Sequence, residues 1–138
     1  MREFIYKLGR PLQSIEPRSD TIPMPVPSSY NDVTQNRTLR DHVGWAWYQR
    51  SFYFPKINPK QERVFARFGS AHYMALVWIN GQAVTEHSIG HLPFEADISS
   101  VISQHGEANT ITVAVNNTLD HHSIPQVTLS CLSMKTLI

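Results

Sequence analysis

Asn80-Gly81 is the residue pair that most restricts the fold. Both residues tolerate positive φ, so a two-residue turn can close there with the twist that two antiparallel strands need. The flanking residues agree. His72 to Ile79 is apolar on both faces, as suits a strand covered on both sides, and Gln82 to Glu86 supplies the return strand. Other segments follow the same period of two. In Trp45 to Phe54, Tyr48, Arg50, Phe52 and Phe54 share one face, while Trp45, Trp47, Gln49 and Ser51 share the other. Arg63 to Phe68 sets Val64, Ala66 and Phe68 on one side, and Asn109 to Val115 sets Ile111, Val113 and Val115 on one side. Short strands separated by Gly, Pro and Asn-Gly predict an all-β sandwich or jelly roll.

The remaining segments carry less pattern. Pro11, Pro17, Pro23, Pro25 and Pro27 remove backbone donors, so residues 1–31 read as irregular, with Pro23 to Pro27 extended and Ser28 to Asp32 a turn. Asp97 to Ser103 is the only helical candidate, with Asp97 as its cap. In the tail, Val127, Leu129 and Cys131 alternate, but whether the tail joins the core stays open.

Composition removes whole classes of function. A chain of 138 residues fits one domain and cannot hold a (β/α)₈ barrel, which takes roughly 200–250 residues. Lys plus Arg number 12 against 11 Asp plus Glu, a net charge of +1, which lacks the electrostatic footprint of a nucleic-acid binder. Cys131 is the only cysteine, so neither an intrachain disulfide nor a cysteine zinc site can form. No run reaches the ~18 apolar residues of a membrane-spanning helix. Met1 to Arg10 has no apolar stretch of the secretory type, so the chain as written is expected in the cytoplasm.

Several residue groups invite chemistry. Among seven histidines, His87 and His91 are four apart, but Gly90 and Pro93 argue against the helix that such a metal pair requires, and His121-His122 would diverge in a strand. No metal site is assigned. Glu86, Glu95 and Asp97 are candidates for the carboxylate pair of glycoside chemistry, which requires a separation of roughly 5–9 Å. Asp97 as a turn cap and Glu95 as a solvated residue is the simpler reading. There is no nucleophile elbow and no Gly-rich phosphate loop, so no cofactor is expected. Trp45, Trp47 and Tyr48 are candidate sugar contacts, because aromatic faces suit the apolar side of a pyranose. A core strand would use the same residues for burial. Arg50 and Arg67, among apolar neighbours, call for a carboxylate such as Asp97 or Glu95. Asn36-Arg37-Thr38 and Asn116-Asn117-Thr118 are N-glycosylation sequons, at Asn36 and Asn116, that matter only in the secretory pathway.

A run of co-linear motifs resembles one family. Met24-Pro25-Val26-Pro27-Ser28-Ser29-Tyr30-Asn31-Asp32 looks like the entry to the amino-terminal domain of animal β-glucuronidases. Val43 to Arg50 resembles that family's Gly-x-x-Trp-Tyr-x-Arg strand. Arg67 to Tyr73, Val77-Trp78-Ile79-Asn80-Gly81, Glu86-His87, Leu92-Pro93-Phe94-Glu95-Ala96-Asp97 and Val115 to Leu119 follow in order. The resemblance covers residues 24–125, preceded by a lead-in of 1–23 and followed by a tail of 126–138. It implies glycoside hydrolase family 2 and a galactose-binding-like jelly-roll sandwich, the sugar-binding domain. It also implies structural roles for Arg50, Arg67, Trp78, Asn80, Gly81, Pro93, Phe94 and Asp97. The family's two catalytic glutamates lie on a barrel, and no residue here corresponds to either. The implied partners are a carbohydrate (a β-glucuronide or glycosaminoglycan) and full-length β-glucuronidase subunits, and the implied location is the lysosome. The sequence departs from the family at three places. Ile89-Gly90-His91 replaces the usual Gly-Gly-Tyr, no Asp-Gly-x-Trp strand precedes Met24, and the Phe-Asp-Phe-Phe-Asn-Tyr-Ala-Gly-like segment is missing after Pro125. A truncated sandwich, incomplete at both ends and without catalysis of its own, is therefore expected.

Overall fold

The alternating segments become paired strands. A computed structural model describes residues 2–8, 21–55, 58, 62–104 and 106–119, the first of these as backbone only. The strands are β1 (Arg2–Leu8), β2 (Ile22–Val26), β3 (Trp45–Tyr53), β4 (Phe65–Phe68), β5 (Met74–Ile79), β6 (Gln82–His87), β7 (Phe94–Asp97) and β8 (Ala108–Asn116). Two helices, α1 (Tyr30–Val33) and α2 (Arg37–Arg40), lie between β2 and β3. Six strands form one antiparallel sheet in the order β2-β1-β3-β8-β5-β6, and β4 and β7 pair as a second layer.

The Asn80-Gly81 turn forms as expected, with φ of 50° and 79° at its two residues. It joins β5 to β6, and the register shifts at Val77/Trp78, the mark of a bulge. The long central pair is β3 with β8, in register from Trp45↔Asn116 to Tyr53↔Ala108.

One face of the large sheet is the core face. Ala46 and Tyr48 from β3, Val113 and Val115 from β8, and Ala75 and Val77 from β5 are all buried on it. Met24 and Tyr30 close one end. At the other end, Ile79 packs with Ala96, Ile98 and Ile102, joined by Ala66 and Phe52. Phe68 of β4 stacks on Phe94 of β7 at 4.7 Å, and His87 stacks on the same Phe94 at 4.4 Å.

Three expectations about local structure change. Residues 1–31 are not irregular throughout, because β1 and β2 are strands. β2 occupies the sheet edge, and Pro23 and Pro25 are two apart, so both nitrogens can face the free side where no donor is required. The place on the amino-terminal side expected to lack a strand is filled by β1, between β2 and β3. Secondly, the helices are α1 and α2, each a single turn, and Ser28 to Asp32 runs into the first of them. Asp97 to Ser103 is instead a tight turn, in which Val101 and Ile102 N–H both reach the Ile98 carbonyl. Thirdly, Phe94 to Asp97, unassigned from the sequence, is a strand. Val127, Leu129, Cys131 and the His121-His122 pair lie outside the described residues.

Candidate functional site

The face of the large sheet opposite the core carries a row of tryptophans. Alternation along β3 puts Trp45 and Trp47 there, and Trp78 of β5 joins them across β8. Trp47 and Trp78 stack with ring centroids 5.5 Å apart and planes 23° from parallel, and Trp45 lies 6.4 Å from Trp47. The closeness follows from Ala114. This small residue of β8 pairs with Trp47 on one side and with Leu76 of β5 on the other, leaving room above it for both indoles. All three tryptophans are half-buried. Gln49, the next residue on this face, is buried and donates from Nε2 to Thr112 Oγ1 at 3.0 Å.

Tyr48 does not belong to this platform. Its side chain is 1% exposed and sits in the core between the layers. The period of two forbids Trp47 and Tyr48 from sharing a face, so the candidate sugar-contact set of Trp45, Trp47 and Tyr48 divides. Trp78, which the sequence suggests only as a structural residue, completes the row instead.

Between the layers lies a groove of about 890 Å³, bordered by Tyr48, Arg50, Phe52, Phe68, Ile111 and Val113. Its lining combines apolar residues of the core face with the polar side chains of Arg50, Ser51 and Arg67.

The carboxylates are dispersed. Asp97 ends β7 and accepts from the Ser99 hydroxyl at 2.6 Å and from Ser99 N–H at 3.0 Å, as a turn cap does. Its ion-pair partner is Arg63. Of the two carboxylates expected for Arg50 and Arg67, Asp97 is thus paired elsewhere, while Glu95 stands opposite Arg67 across the β4–β7 ladder. The Ser99 hydroxyl and amide, with Arg63 beside them, hold the Asp97 carboxyl down at about 2. Ser99 Oγ also receives Val64 N–H at 2.8 Å, and Ile98 N–H reaches the Val64 carbonyl at 2.9 Å, so this turn fastens β7 to the approach to β4. A carboxyl with a lowered folded pKa stabilises fully above its unfolded value near ~3.8 and loses that contribution as pH falls through about 2. Asp97→Asn is therefore expected to flatten the decline in urea midpoint between pH ~4 and pH ~2 that the parent chain shows.

Two asparagines do more than their turn propensity suggests. Asn80 Oδ1 accepts from Thr110 N–H at 2.9 Å, and its Nδ2 donates to the Val101 carbonyl at 2.8 Å and to Asn109 Oδ1 at 2.9 Å. Asn117 Oδ1 accepts from Gly44 N–H at 2.8 Å, and its Nδ2 donates to the His42 carbonyl at 2.9 Å and to the Tyr30 hydroxyl. Gly44 takes φ of 132°, which a side chain would resist. Asn117 thus fixes the loop that feeds Trp45 into β3.

The histidines fall into separate settings. His72 and His91 meet edge to face at 4.4 Å, and His87 shares a hydrogen bond of 2.6 Å with the Ile89 carbonyl. Among the described residues no three His, Cys, Asp or Glu side chains come together as a metal site would require. At the departure Ile89-Gly90-His91, Ile89 has no positive φ, so it fits where the family has glycine. Gly90 is needed for space, since a Cβ there would lie 2.8 Å from the Tyr73 ring and 3.3 Å from its Cα. Pro93 is exposed just before β7, where no ladder donor is called for. No helix among the described residues is long and apolar enough to cross a membrane.

Fold and surface together define a sandwich of the galactose-binding-like class, with an aromatic row outside and the carboxylates dispersed among the described residues. Comparison with known proteins is specific. The profile of the glycosyl hydrolases family 2 sugar binding domain matches residues 14–128, wider than the motif-bearing stretch of 24–125. The chain belongs to glycoside hydrolase family 2, in its sugar-binding domain. It is 48% identical to mouse β-glucuronidase over 121 residues, which is 85% of this chain and 18% of the relative. It is 45% identical to human β-glucuronidase over 129 residues, 90% of this chain and 19% of the relative. Among solved structures, an uncultured Clostridium β-glucuronidase superposes with a TM-score of 0.78 at 38% identity, covering 96% of this chain and 24% of that one. Bifidobacterium dentium β-glucuronidase, in a complex with coumarin-3-O-glucuronide, gives 0.79 at 35% identity over 91% of this chain and 21% of its own. The chain therefore spans less than a quarter of the length of these relatives.

Proposed function

We propose that this chain acts as the non-catalytic amino-terminal sugar-binding domain of a β-glucuronidase, and that hydrolysis of β-D-glucuronosides belongs to other parts of a longer protein. The family-profile match carries this reading, because it falls on the sugar-binding domain alone. The site chemistry supports it. Glu86 and Glu95 lie exposed on β6 and β7, and Asp97 is engaged by Ser99 and Arg63. A fluorogenic β-glucuronide assay on the purified chain should show no turnover. Turnover that Glu95→Gln or Asp97→Asn removes would overturn the reading. The same proposal assigns the protein to the lysosome, with full-length subunits as partners.

A second reading assigns carbohydrate contact to the tryptophan row. The stacked Trp47–Trp78 pair favours it, since two indoles held rigid present aromatic surface to a pyranose at little entropic cost. Quenching of tryptophan fluorescence by glucuronate or a glucuronide, lost in Trp78→Ala, is the expected result. Unchanged fluorescence at millimolar sugar would refute it.

A further inference from the structure

The Asn36-Arg37-Thr38 sequon lies on the outermost part of the α1–α2 connection. Asn36, Arg37 and Thr38 are all exposed. Asn36 Oδ1 accepts from Thr38 N–H at 3.0 Å, which folds the three residues into a turn. The Asn36 carbonyl in turn accepts from Leu39 N–H at 3.1 Å and Arg40 N–H at 2.9 Å. Every one of these bonds uses an oxygen of Asn36. Its Nδ2 has no partner among the described residues, so nothing in the fold would be lost if that nitrogen carried a substituent. The amide oxygen would remain an acceptor after substitution, and the cap on α2 would persist. Tyr30 and Leu39 tie the two helices to the core side of the large sheet, so a group on Asn36 stands away from the tryptophan row. The other sequon makes the same turn, with Thr118 N–H donating to Asn116 Oδ1 at 2.9 Å, and differs in exposure, since Asn116 is half-buried at the end of a strand flanked on both sides.

We propose that Asn36 is an N-glycosylation site of this protein, a proposal that rests on the secretory route implied by the lysosomal reading above. The donor is a lipid-diphosphate-linked oligosaccharide. Asn36 Nδ2 forms a bond to the anomeric carbon of the first sugar, the bond from that carbon to the diphosphate oxygen breaks, the lipid diphosphate leaves, and the amide gives up one proton. The hydroxyl of Thr38 is the recognition element, which is why threonine or serine is required there.

The test expresses the full chain behind a cleavable secretion leader in animal cells, in an Asn116→Gln background so that one acceptor remains. Amino-terminal sequencing scores leader cleavage, and peptide mass spectrometry after amidase deglycosylation scores position 36. The expected result is a cleaved leader, aspartate at position 36 after deglycosylation, and a mobility shift lost in Asn36→Gln and Thr38→Ala but kept in Thr38→Ser. A cleaved leader with asparagine 36 unmodified, in either the secreted or the retained pool, overturns the proposal. Fractionation of the unfused protein reads the location separately, so a failure of the compartment is distinguishable from a failure of the acceptor.

Discussion

Replacing Asn109 with leucine should cost the domain about 3 kcal/mol, although the two side chains share one branched heavy-atom skeleton. Asn109 has no exposed surface, and its amide is fully used. Oδ1 accepts from Ser103 N–H at 2.6 Å and from Asn80 Nδ2 at 2.9 Å, and Nδ2 donates to the Ser103 carbonyl at 2.8 Å. Leucine would leave the Ser103 amide, the Ser103 carbonyl and one Asn80 proton without those partners, facing a side chain that is itself closed to solvent. Each such group costs about 1–3 kcal/mol, which exceeds what an added apolar contact returns. Marginal stability makes the loss visible, since whole domains are stable by only about 5–15 kcal/mol. A fall in melting temperature of about 10 °C, measured by circular dichroism, is the expected outcome. A change under about 2 °C would show that the buried amide is not the joint between the hairpin and the 98–103 turn.

The second large effect distinguishes the two faces of β3. Tyr48→Ala should destabilise the fold by about 3–5 kcal/mol, the usual cost of removing a buried aromatic ring. Trp47→Ala, one residue earlier, should cost about half as much, because Trp47 is half-buried on the outer face and gives up less apolar area. The order of side-chain size alone would predict the reverse. Urea unfolding of the two variants decides the matter, and equal losses would mean that the outer face is as closely packed as the core.

Legibility followed local chemistry. β3, β5, β6 and β8 could be read because their apolar residues alternate and because Asn80-Gly81 states its own turn. β2 could not, since proline at Pro23 and Pro25 counts against a strand until the strand is known to be an edge, and edges are a property of the assembled sheet. α1 and α2 are single turns, shorter than the period by which a helix is recognised. The site shows the same division. Alternation alone separates Trp45 and Trp47 from Tyr48, but Trp78 joins them only because β8 lies between β3 and β5, and no local pattern records that order. Asn80 was legible as a turn residue and not as the partner of Asn109 and Thr110. The expectation that no glutamate here is catalytic rests on the family resemblance rather than on spacing.

The position of β8 also sets a timetable. It pairs with both β3 and β5, and bonds such as Gln49 to Thr112 span 63 residues. Contacts this distant in sequence close slowly, because the loop entropy is paid before any pairing repays it. On the ribosome, the central sheet must wait until residue 116 has emerged, while the chain around Asn36 has long been outside. An acceptor placed early in a chain whose sheet closes late spends that interval as open chain, within reach of a modifying enzyme before the fold is finished.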